Sequence, residues 1–165
     1  MQSTYNDTYR DFDSRPLLRA YIPWIAKTFE LGDLFVTINL KGIRHINSFV
    51  KGKLEAIERK VFLRRPNQMY RFPVLNCDQD WPHVHMLLKN VEYKSFWNNS
   101  FSSLVSEMFR KDLNKAGSVN IKQIDHNINA VATYSLLKQG YEVRVLFDAL
   151  KMPSSIAMES AAVQL

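Results

Sequence analysis

Two histidines one residue apart stand in the segment Pro82-His83-Val84-His85-Met86-Leu87-Leu88. On a β-strand, alternate side chains leave opposite faces. His83 and His85 would therefore share a face with Leu87, while Val84, Met86 and Leu88 turn into the core. Two imidazoles side by side on a rigid strand can chelate one divalent cation with little reorganisation. An apolar setting strengthens that reading, because burying histidines without partners is costly. A second pair, Tyr134 and Lys138, is spaced four apart, which puts both on one face of a helix. A phenol is a weak nucleophile at its ordinary pKa of ~10. A nearby ammonium can stabilise its anion or a leaving charge. Each feature also has a plainer reading on its own: two surface histidines, and a half-buried tyrosine beside a solvated lysine.

These residues must be held by the elements around them. Apolar spacing predicts a helix over 17–29, despite Pro23. The run Leu34-Phe35-Val36-Thr37-Ile38-Asn39-Leu40 alternates as a strand, with Phe35, Thr37 and Asn39 on one face. An amphipathic helix follows over 46–61, its outer face carrying Lys51, Arg59 and Lys60. Strands are expected over 69–75 and 83–88, paired as a hairpin, with Pro73 suggesting an edge or a bulge. A helix over 96–113, a strand over 118–124 and a helix over 128–139 come next. Gly140 closes that helix, and 141–146 reads as a last strand. Residues 1–15 read as a loose arm and 153–165 as a peripheral tail. The order predicts an α+β fold, one domain with a central antiparallel β-sheet flanked by helices.

The chain has 165 residues and a net charge of +6. Nine basic residues lie between Lys41 and Arg71 (among them Arg44, Lys51, Arg64 and Arg65), opposed only by Glu55 and Glu58. A concentrated basic region attracts a polyanion by releasing its condensed counterions. The single cysteine, Cys77, excludes an internal disulfide and a multi-cysteine zinc site. No run of ~18 apolar residues suggests a membrane span. The polar N-terminus does not read as a secretory signal. Together these point to a cytoplasmic, intracellular protein with no membrane partner.

In chain order, three segments resemble the HUH superfamily of single-strand DNA endonucleases, named for a His-hydrophobic-His motif. The strand from Leu34 to Leu40 resembles the first motif, and Pro82 to Leu88 the metal-binding second. Ala130-Val131-Ala132-Thr133-Tyr134-Ser135-Leu136-Leu137-Lys138 is similar to the catalytic-tyrosine helix. Gly117-Ser118-Val119-Asn120-Ile121-Lys122 resembles the strand leading into that helix in replication-initiator members. The likeness spans 34–139. It departs in placing Lys138 four residues after the tyrosine instead of three, and in lacking an obvious carboxylate ligand before the histidines.

The resemblance implies an HUH or RRM-like palm and a one-tyrosine nuclease. It implies Mn²⁺ or Mg²⁺ held by His83 and His85 with one oxygen donor, for which Asn76, Asp78 and Gln139 are candidates. Two imidazoles tilt the choice towards Mn²⁺. Tyr134 would attack a phosphate to give a 5′-phosphotyrosine and a free 3′-OH, with Lys138 stabilising the charge. The implied partner is single-stranded DNA at an origin or nick site, with host replication proteins as further partners. Lys41, Arg44, Lys51, Arg64 and Arg65 would follow its backbone, and Trp81 would stack on a base. The expected role is starting rolling-circle replication of a plasmid or phage. The alternatives are a one-tyrosine transposase or relaxase, a catalytically degenerate binding module on the same scaffold, and an unrelated basic binder of RNA or an acidic partner.

Overall fold

A computed structural model describes residues 15–61, 69–78, 80–90, 98–113, 118–131 and 142–154. The elements follow as α1 (Arg15–Thr28), β1 (Leu34–Asn39), α2 (Ile46–Val61), β2 (Met69–Asn76), β3 (His83–Asn90), α3 (Asn98–Arg110), β4 (Ser118–Gln123), α4 (Ile128–Val131) and β5 (Val143–Val145). All strand pairs are antiparallel, in one five-stranded sheet of order β4-β1-β3-β2-β5. From β1 to β4 the chain runs βαββαβ with strands ordered 4-1-3-2, the ferredoxin-like arrangement. The expected α+β class and the β2–β3 hairpin are both present.

Each face of the sheet is covered, which makes three layers. Val36 and Ile38 of β1 and Val84, Met86 and Leu88 of β3 pack against α2 and α3. Ile46, Val50, Leu54 and Ile57 form the buried stripe of α2. Burial of each is worth roughly 1.5–3 kcal/mol, so the stripe outweighs the ~1 kcal/mol cost of exposed Gly52 in the helix. The opposite face carries Phe72, Val74, Leu87, Val143 and Val145. Ile25 of α1 and Val131 of α4 close over them. Pro23 lies exposed inside α1, where the buried contacts on either side of it hold the helix through the lost hydrogen bond.

Pro73 is not on an edge strand, but it lies where pairing is interrupted: between Val74↔Val145 and the bridge Arg71↔Lys151, residues 72–73 stand opposite 146–150, a break of the bulge kind. β2 is an interior strand, between β3 and β5. The pairing with β5 stops at Val74, and Pro73 only accepts a bond, from the Leu146 N–H at 3.0 Å. Its missing donor therefore costs no ladder hydrogen bond.

The basic run between Lys41 and Arg71 is not one free surface. Arg71 is buried, bonded to Glu58 at 3.0 Å and through Nε to the Ala149 carbonyl at 2.8 Å. Lys151 shares the same Glu58, and Lys53 pairs with Asp112. Replacing Glu58 by alanine leaves a buried guanidinium without its anion. We expect a loss of about 3 kcal/mol in urea unfolding, against a smaller loss when Arg71 is also replaced by methionine.

Candidate functional site

His83 and His85 leave the same face of β3, as the alternation predicts, with ring centroids 5.0 Å apart. β3 is flanked by β1 and β2, so the pair sits on an interior strand. The register then fixes their neighbours. Thr37 of β1 stands opposite His85 and Asn39 opposite His83. On the other flank Val74 faces His85 and Asn76 faces His83. Beyond β1, Asn120 and Ser118 of β4 continue the same two rows. Facing residues of an antiparallel pair share a face. One end of this face is therefore polar: Ser118, Asn39, His83 and Asn76 in one row, Asn120, Thr37 and His85 in the next. The other end is the apolar floor under α1 and α4.

The environments of the two imidazoles differ. His83 donates from Nδ1 to the backbone carbonyl of Trp81 at 2.9 Å. A carbonyl only accepts, so this contact places the proton on Nδ1 and leaves the Nε2 lone pair open. His85 has its Nδ1 2.9 Å from the Thr37 hydroxyl. Phe35 stacks on its ring, with centroids 5.5 Å apart and planes 16° from parallel. Burial, helped by the nearby His83, pushes the His85 pKa down to about 4. It is neutral at physiological pH, the state in which an imidazole can be a metal ligand. Among the described residues neither Nε2 has a hydrogen-bond partner.

The donor set fits a divalent cation with two nitrogen ligands from the protein. No third histidine, cysteine, aspartate or glutamate joins the pair among the described residues. The register brings two side-chain oxygen donors to His83, Asn39 on one flank and Asn76 on the other. Asn39 Oδ1 accepts the Lys41 N–H at 3.0 Å; Asn76 is buried. Its Oδ1 accepts the Asp78 N–H at 3.0 Å. Asp78 lies in the β2–β3 connection. Its Oδ1 accepts the N–H groups of Asp80 at 3.0 Å and Trp81 at 3.3 Å.

Around this polar end lie Lys41 and Trp81. Gly42, with φ of 87°, lets the chain turn so that the Ile43 N–H meets the Leu40 carbonyl at 2.9 Å. Lys41 is at the corner of that turn, its Nζ 3.9 Å from the centroid of the Trp81 ring. The Leu40 N–H bonds the Pro82 carbonyl at 2.8 Å, tying the two loops together. Trp81 is 45% exposed, so its ring is not a lid over the core. Arg44 is exposed in the same turn region. Lys51 lies on α2, across the sheet from the histidines, 3.9 Å from Glu55. Tyr134, Lys138 and Gln139 lie outside the described residues, as do Arg64 and Arg65. The short helix α4 packs on the histidine face through Ile128 and Val131.

The sequence did not single out Thr37 or Asn39 as site residues. Their signal was parity: each is a polar residue on the Phe35 face of an otherwise apolar strand. No helix among the described residues is long and apolar enough to cross a membrane. Comparisons with protein-family models, with curated proteins and with solved structures return no match.

Two predictions concern the half-buried His85. Thr37→Val removes the one hydrogen-bond partner that the His85 ring has among the described residues and should cost about 1–3 kcal/mol in urea unfolding. The second concerns pH. Between pH 6.5 and about 4 the unfolded chain protonates His85 while the folded chain does not, so stability is lost as pH falls through that window. Asp33 acts oppositely. Burial, opposed by the Glu30 N–H and Lys89, raises its pKa from 3.8 to about 6, so its contribution is gained as pH falls. Unfolding midpoints from pH 4 to 7.5 should therefore fall more steeply towards acid in Asp33→Asn and more gently in His85→Gln.

Proposed function

We propose that the protein is a metal-dependent endonuclease and strand transferase of the HUH type, acting on single-stranded DNA. The observation that carries this reading is the pair His83 and His85. Both imidazoles share one face of an interior strand, both have Nδ1 engaged, and neither Nε2 has a partner among the described residues. The reading also draws support from α4, which packs on that face and ends three residues before Tyr134 in the sequence. The polar rows from β4 to β2, with Lys41 and Trp81 at their end, offer a surface of the right chemistry for a phosphate backbone and an unpaired base.

His83 and His85 would hold Mn²⁺ or Mg²⁺, with Asn76 as an oxygen donor; when bound, the cation neutralises charge building on the scissile phosphate. Burial and Phe35 keep His85 unprotonated, and Thr37 fixes its ring. Tyr134 supplies the phenol oxygen that attacks phosphorus. The P–O bond to the 3′-oxygen breaks, that oxygen takes up a proton, and the 5′-phosphate stays on the tyrosine. Lys138 stabilises the phenolate. Attack by a 3′-OH reverses the step without a nucleotide cofactor. Initiation of rolling-circle replication is the role that the replication-type strand over 117–122 favours.

One observation favours a second reading, a binding module with no catalysis. No acidic ligand joins the histidines among the described residues, and Asn76 is neutral with its oxygen already in use.

A pool of 3′-labelled single-stranded oligonucleotides separates the two. With Mn²⁺, the wild-type chain should form an adduct that survives a denaturing gel. Chelator, His83→Ala and Tyr134→Phe should each abolish it while salt-sensitive binding remains. An adduct persisting in Tyr134→Phe would exclude that nucleophile. Salt-sensitive binding with no adduct under any divalent cation would leave the binding module.

A further inference from the structure

Asp78 stands in the connection between β2 and β3, close to the histidines in sequence yet turned to the backbone. Its Oδ1 takes two N–H groups, from Asp80 and from Trp81. Two residues earlier, Asn76 Oδ1 takes the N–H of Asp78 itself. Two residues after Trp81, His83 donates its Nδ1–H to the Trp81 carbonyl. A continuous chain of side-chain-to-backbone contacts thus runs Asn76, Asp78, Trp81, His83. It begins and ends on one cross-strand pair, since Asn76 and His83 face each other in the β2–β3 register.

This arrangement bears on the protonation of one nitrogen. A free neutral imidazole prefers its proton on Nε2, which would block that nitrogen as a ligand. The tautomer of a histidine is set by the hydrogen bond its other nitrogen makes. For His83 that partner is a carbonyl in a short loop, and Asp78 is the side chain that holds the loop's N–H groups. We propose that Asp78 is a positioning residue, not a metal ligand: by fixing the Asp80–Trp81 peptides it keeps the Trp81 carbonyl on His83 Nδ1 and so presents Nε2 to a cation. The cation part rests on the reading of His83 as a ligand; the tautomer part does not.

The two parts are tested separately on the full chain. Long-range ¹H–¹⁵N correlation spectra identify which imidazole nitrogen carries hydrogen. They are recorded without metal near pH 8.5, about two units above the ordinary imidazole value of ~6.5. Wild type should show His83 protonated on Nδ1. Asp78→Asn keeps an acceptor oxygen and should leave that signal in place, while Asp78→Ala should move the proton to Nε2 in a substantial fraction of molecules. Manganese titration by electron paramagnetic resonance should then show binding weakened about tenfold in Asp78→Ala and changed less than about twofold in Asp78→Asn. An unchanged tautomer in Asp78→Ala would overturn the proposal. So would equal loss of Mn²⁺ binding in both variants with the tautomer intact, which would make Asp78 a ligand. If wild type binds no Mn²⁺, the metal reading of the histidines fails, and the tautomer comparison alone decides the role of Asp78.

Discussion

The register between β1 and β3 is the constraint on which the site depends. Thr37 meets His85 and Asn39 meets His83 because these two strands pair antiparallel in one alignment. A slip by one residue would bring Val36 or Ile38 opposite His85 and turn the apolar row of β1 towards the polar rows. That slip is forbidden by the core, since Leu34, Val36, Ile38 and Leu40 are all buried in the layer under α2 and α3. Hydrophobic packing on one face thus fixes hydrogen bonding on the other. The Thr37–His85 contact is individually worth about 1 kcal/mol. Its geometry is guaranteed by a much larger apolar area.

The histidine face shows a graded environment along the strands. Leu87 and Phe72 lie under α1 and α4 in a fully apolar layer. One row along, His85 is partly buried, held by Phe35 and Thr37. A further row along, His83 is more open and bonds to a loop carbonyl. The same strand therefore supplies one imidazole shielded from protonation and one nearer solvent, and the difference comes from position relative to the covering helices. The two histidines lie where the covering helices stop.

Charge is divided by the sheet in a comparable way. The basic run in the sequence looks continuous, but its members serve three purposes. Arg71 is consumed by Glu58 inside the fold, Lys53 by Asp112 in the turn after α3, and Lys51 faces solvent on the far side of the sheet. Among the described residues of the run, only Lys41 and Arg44 lie in the turn beside the histidine end. A cluster in sequence is a cluster in space only where the chain does not cross a sheet between its members.

Much of this was determined by the sequence itself. Period-two alternation in 34–40 and 83–88 and the three- and four-residue spacing in 46–61 follow from local backbone geometry, so the elements and their inner faces were readable. The shared face of His83 and His85 was readable for the same reason, as a property of one strand. Strand order, register and layer were not, because they arise from contacts between residues far apart in the chain. Tertiary structure alone decided that Thr37 meets His85, that Asn76 faces His83, that Pro73 is interior, and that Arg71 is buried with an acid. Those outcomes come from the whole core settling into one packing, a sum over distant pairs that no window of sequence contains.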